Sequence, residues 1–136
     1  MAAGWRVAMV VLAFALLALL VTAGRLTPDA QGHGTHQQLG LPPCTFYVIF
    51  RRPCPACGMT TSWAWLMRGE VGKALAANVG GTLLACMSLI GAPWLLASAI
   101  GGRWFGGRPK EWVLAVIAGL VCLATAAQWV WRLWTY

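Results

Sequence analysis

"WVLAVIAGLVCLATAAQWVW", residues 112 to 131, contains no Asp, Glu, Lys or Arg, and Gln128, near its end, is its most polar side chain. About 20 helical residues cross the ~30 Å hydrocarbon core of a bilayer, so this stretch predicts a transmembrane helix. Two further windows are equally charge-free: Val79 to Gly102 and Val7 to Gly24. The former carries Pro93, which a membrane helix tolerates because neighbours re-satisfy the freed carbonyl. A kink is expected near Gly91, Ala92 and Pro93. The whole chain fits this reading. Its 136 residues are 60% hydrophobic and 10% charged, with nine Trp and a mean hydropathy of +0.69. That composition excludes an ordinary soluble domain.

The fold class expected is therefore all-α and integral to the membrane. A single domain, residues 1–136, has spans at about 5–24, 79–102 and 112–131. Between the first two spans lies a cysteine-bearing loop with short interfacial helices, residues 25–78. Arg6, the apolar run after it and Val21-Thr22-Ala23 also resemble a signal peptide with a small-residue cleavage site, although the run exceeds the usual ~7–15 residues of such a segment. Either reading sends the chain after Gly24 across the membrane.

Charge sets the expected orientation. Arg6, Arg103, Arg108 and Lys110 fall in two short segments on one side, whereas Arg25, Arg51, Arg52, Arg68, Lys73 and Arg132 are spread over the long loop and the tail. Basic density in short segments marks the cytoplasmic side, so the amino terminus is expected there and the cysteine loop outside. Trp5, Trp104 and Trp112 at one boundary, with Trp129, Trp131, Trp134 and Tyr136 at the other, suit interfacial belts. The formal charge of +7 is explained by anionic lipid heads, so the bilayer is the expected partner. Dispersed basic residues without a recognisable module give no reason to propose nucleic acid.

The loop opens on "LTPDAQGHGTHQQLGLPPC", where Pro28, Gly32, Gly34, Gly40, Pro42 and Pro43 break any long helix. A short apolar run, "TFYVIF", follows, then a bend at Arg51-Arg52-Pro53 and the sequence Cys54-Pro55-Ala56-Cys57-Gly58. After Gly58, "MTTSWAWLM" reads as a helix: Thr60, Thr61 or Ser62 can cap it, and Met59, Trp63, Leu66 and Met67 share a face. Gly69 is the expected stop. Glu70 to Ala77 reads as another short helix, with Val71, Ala74, Leu75 and Asn78 at helical spacing. Both stubs are too short to cross and are expected in the interface.

From Leu41 to Gly81 the sequence resembles a family of small bacterial inner-membrane proteins catalogued as a domain of unknown function. The resemblance rests on Cys44, Cys54, Pro55, Cys57, Gly58, Thr60, Gly69, Ala74 and Asn78, in the order Cys, nine residues, Cys-Pro-x-Cys-Gly-x-Thr, then Gly, Ala and Asn. In that family an Arg commonly follows the Thr and a Pro the Asn; here Thr61 and Val79 stand instead. The resemblance implies residence in a bacterial inner membrane and supplies no activity.

Three chemistries are open to the thiols. Metal binding would use Cys44, Cys54 and Cys57 with His33 or His36, a Cys3His set suited to tetrahedral zinc or to soft copper. Thiol–disulfide exchange would use Cys54 and Cys57 ahead of a helix start, where amide dipoles favour thiolate, with Cys44 as resolving partner. A structural disulfide from Cys44 to Cys54 or Cys57 would staple the loop by roughly 2–3 kcal/mol and leave one thiol over. Cys86 and Cys122, inside spans, read as small apolar residues. The expected function is thus a multi-pass membrane component with a clustered-thiol site, metal-binding or structural, with an oxidoreductase as the alternative; whether it is an enzyme stays open.

Other patterns carry no chemistry. Gly101, Gly102, Gly106 and Gly107 lack the Lys-Ser/Thr of a phosphate loop. Asp29, Glu70 and Glu111 are too scattered for paired-carboxylate catalysis, and Glu70 with Lys73 is a helix-surface pair. No charge at mid-span marks an ion path. Ala115 and Gly119 give the third span a small-residue face, expected to pack within the chain.

Overall fold

The fold comes from a computed structural model, which describes residues 2–135. Six α-helices follow in order: α1 (Ala3–Arg25), α2 (Thr45–Phe50), α3 (Met59–Leu66), α4 (Val71–Ala77), α5 (Val79–Gly101) and α6 (Glu111–Thr135), with one 3-10 turn at Thr35–Leu39. Helices α1, α5 and α6 are long and apolar enough to cross a membrane. At ~1.5 Å per residue each exceeds the ~30 Å core.

Small residues let α1 and α5 approach. Met9, Ala13, Leu20 and Ala23 on α1 are buried, as are Ala85, Ser88, Ala92, Ser98 and Ala99 on α5. In lipid, where apolar burial between helices gives little drive, such close backbone contact supplies the packing energy. The Arg6 guanidinium donates to the Ala99 carbonyl at 2.8 Å and to that of Ile100 at 3.4 Å, satisfying the carboxyl end of α5. Pro93 lies inside α5, which continues unbroken through it.

Helix α6 is held differently. None of its described residues is buried. Its half-buried positions, Val113, Ile117, Val121, Ala124, Gln128 and Arg132, recur at helical spacing and mark the side turned to the bundle. Ala115 and Gly119 are exposed, and a Cβ on Gly119 would meet nothing within 4 Å. The small-residue face therefore does not pack within the chain, because it lies on the other side of α6. Attachment comes from polar groups at the carboxyl end. Gln128 Oε1 accepts from the Val79 amide at 2.7 Å, and its Nε2 donates to the Leu75 carbonyl at 2.8 Å. Arg52 reaches the Leu133 carbonyl at 2.6 Å.

The third span also runs further than its charge-free window, to Thr135, taking in Arg132. Trp131 and Trp134 near that end, and Trp5 and Trp112 near the other, are exposed as interfacial side chains would be. Tyr136 lies outside the described residues. The short apolar run "TFYVIF" forms α2. Phe46 and Phe50 stack one turn apart with centroids 4.7 Å apart, and Arg51 closes the helix in the left-handed region at φ 53°.

Helix α3 is tucked among α1, α4 and α5 and buries Thr61, Ser62 and Ala64. The amino end of α5 and the carboxyl ends of α1 and α6 meet there, so the loop after α1 folds into a cap at one end of the bundle.

Candidate metal centre

The cysteine turn is built by backbone hydrogen bonds. The Cys57 amide donates to the Cys54 carbonyl at 3.0 Å, and that of Met59 to Ala56 at 3.2 Å. Gly58 follows at φ +87°, and a Cβ there would sit 2.5 Å from the carbonyl oxygens of both Ala77 and Gly32. Only glycine fits a left-handed residue pressed between two backbones. Asn78 locks the same junction. It is 1% exposed; its Nδ2 donates to the carbonyls of Pro55 at 3.0 Å and Cys57 at 3.2 Å, and its Oδ1 accepts from the Gly81 amide at 2.7 Å as the cap of α5. Arg132 closes the junction from α6, donating to Cys57 at 3.1 Å, to Ala76 at 3.0 Å and to Ala77. Trp129 donates to the Pro53 carbonyl at 2.8 Å.

Cys44 arrives on a separate strand of chain, at the start of α2. The sulfurs of Cys44, Cys54 and Cys57 all lie within 4.8 Å of one another. Those of Cys54 and Cys57 are 3.2 Å apart, and none of the five cysteines is in a disulfide. The three thiols share a cleft of about 640 Å³, also lined by Asp29, His33, His36 and Met59. Across it, the buried hydroxyls of Thr35 and Thr61 meet at 2.7 Å, joining the 3-10 turn to α3.

The thiols are electrostatically unequal. The Tyr47 amide pulls the Cys44 thiol below its ordinary value, outweighing partial burial, and Cys54, Cys57 and the Phe46 amide pull the same way. Burial pushes the Cys57 thiol up to about 12, and the neighbouring Cys54 and Cys44 sulfurs add to the rise while the Cys54 backbone opposes it. Cys44 therefore ionises well before Cys57.

Of the five residues considered for a metal, the fold gathers the cysteines into one set; His33 and His36 stay outside it. His33 packs on Tyr47 with ring centroids 4.9 Å apart. The His36 Nε2 lies 3.2 Å from the Pro42 carbonyl. Cys86 and Cys122, on α5 and α6, take no part in the group. Three sulfurs in this arrangement can hold a thiophilic ion, or two of them can join.

Residues 44–92 match the family model described as "Protein of unknown function (DUF2752)". The match covers 49 of the 136 residues. No curated protein and no solved structure matches the chain. The matched segment runs from Cys44 through the cysteine turn and α3 to Ala92 in α5, so it contains the whole thiol set but neither α1 nor α6. Arg132 thus reaches the cysteine turn from outside the matched segment. It sits beside the thiols where position 61 offers only a hydroxyl. Sequence reading missed Arg132, Gln128 and Thr35. The available signal was polar side chains at one end of an otherwise apolar span, whose freed hydrogen-bonding capacity must be used within the protein.

Proposed function

We propose that this protein is a membrane component whose thiols Cys44, Cys54 and Cys57 hold one thiophilic metal ion, zinc or copper, at the outward-facing end of the bundle. The convergence of three sulfurs within 4.8 Å carries the reading. A structural disulfide would consume two and leave the third beside it as a spare thiol. Thiolates are ligands for zinc and for soft copper. The outward placement is supported by Arg6, Arg103, Arg108 and Lys110, clustered in short segments at the other end. Residence in a bacterial inner membrane is supported by the family resemblance and by the three apolar helices.

The test is elemental analysis with free-thiol counting on one detergent-purified sample. About one equivalent of metal is expected, lost on Cys54→Ser and on chelation. Metal-free protein with an intact fold refutes the proposal. A second reading, thiol–disulfide exchange at Cys54 and Cys57, is favoured by their 3.2 Å separation. On that reading Cys57→Ser traps mixed disulfides, and a protein without a titratable dithiol excludes it.

A further inference from the structure

We infer that the ion this centre is built for is Cu(I), held by the three cysteine sulfurs alone. The inference rests on the metal-centre proposal and goes past it by naming the ion. A structural zinc site needs four protein ligands, and a catalytic one three with water in the fourth place. No histidine nitrogen or carboxylate oxygen joins the three sulfurs in the group whose ligand atoms lie within 4.8 Å of one another, whereas the three-ligand zinc sets each include a histidine. Asp29 Oδ1 accepts from the Gln31 amide at 2.7 Å. The His33 ring is packed on Tyr47. His36 donates through Nε2 to the Pro42 carbonyl, and neither of its nitrogens joins the sulfur group. The Thr61 hydroxyl is bonded to Thr35 at 2.7 Å.

The carbonyls of Pro55 and Cys57 are likewise occupied, by Asn78 and, at Cys57, by Arg132 as well. The gathered ligand atoms are sulfur alone. Thiolates and thioethers select Cu(I) over harder ions, and Met59 lines the same cleft. A metal at ~2.3 Å from three sulfurs in one plane sets them about 4.0 Å apart. The observed spacings, 3.2 Å for Cys54 to Cys57 and up to 4.8 Å over the group, lie on both sides of that value. On binding, three thiols release their protons to water and the complex carries net negative charge. The Arg132 guanidinium, bonded to the Cys57 carbonyl, places a fixed cation behind it.

The experiment uses the full chain, reduced and anaerobic in detergent, loaded with Cu(I) and Zn(II) together, the copper buffered by a bathocuproine chelator. Copper-edge X-ray absorption then counts the scatterers on the wild-type protein. The expected result is one Cu(I) with sulfur neighbours only, retained in the presence of excess Zn(II), unchanged in His33→Ala and His36→Ala, and lost in Cys44→Ser. Should Cys44→Ser fail to fold, the wild-type scatterer count decides. Zinc retained in place of copper, or a nitrogen neighbour that disappears with either histidine, overturns the copper assignment while leaving a metal centre standing. Folded protein that binds neither ion overturns both.

Discussion

Asn78→Ala removes three hydrogen bonds from a side chain that is 1% exposed, and its cost can be worked from the contacts. Losing the cap on α5 costs about 1 kcal/mol. Losing the two donations to Pro55 and Cys57 costs roughly 1 kcal/mol each, somewhat less at Cys57, whose carbonyl keeps Arg132. The sum is about 3 kcal/mol, or a drop of roughly 10 °C in Tm for a chain of this size. Detergent-solubilised protein, unfolded by heat in the presence of a thiol-reactive dye, gives both the midpoint and the exposure of Cys57. Asn78→Ser keeps a capping oxygen but not the amide, so it should recover about 1 kcal/mol of the loss. A Tm within about 2 °C of wild type for Asn78→Ala would show that the junction is not held by this side chain and would refute the reasoning.

Arg132→Lys keeps the charge but loses the planar fork that spans three carbonyls, so limited proteolysis should release the carboxyl end of α6, whereas unchanged protection would show that charge alone suffices. Gly58→Ala should abolish folded expression, since it combines a positive φ with a Cβ against two carbonyls; a monodisperse variant contradicts that. Thiolate is the species that is alkylated, so in metal-free protein rising pH should bring Cys44 into reaction with iodoacetamide before Cys57, which reacts only in strong alkali, with site-resolved mass spectrometry as the readout. Equal rates at neutral pH would be inconsistent with the burial of Cys57. Thr35→Val or Thr61→Val alone should cost about 1–3 kcal/mol, while the double variant should cost less than the sum; a simply additive pair would show that the hydroxyls do not interact.

Much of the fold is legible in the sequence because the bilayer imposes a single strong rule. Long runs without charge become helices, and all three expected spans do. The rule fails at their ends for a physical reason. The window closing at Trp131 stops short of Arg132, yet the helix continues, because its guanidinium turns back onto Cys57, Ala76 and Ala77 and so becomes part of the protein interior. Helix α2 was hidden by Val48 and Ile49, whose β-branching argues against helix, while the stacked Phe46 and Phe50 support it.

For the site, Cys-x-x-Cys spacing announces one pair, but nothing local says that Cys44 returns to it. That return depends on Gly58 fitting between Gly32 and Ala77, a long-range contact. His33 and His36 were plausible ligands by spacing alone. Their ring contacts with Tyr47 and the Pro42 carbonyl, which keep them out of the sulfur group, belong to the folded loop.

The most direct measurement is pairwise cross-linking of the three sulfurs. In a background with Cys86→Ala and Cys122→Ala, each of Cys44, Cys54 and Cys57 is replaced in turn by Ser, and the remaining pair is treated with dibromobimane, which fluoresces once both its ends have reacted. With all three sulfurs within 4.8 Å, every pair should cross-link in folded protein and none should depend on a second molecule. If the two pairs containing Cys44 stay dark while Cys54 and Cys57 react, there is no three-sulfur centre, and the account reduces to an ordinary vicinal dithiol.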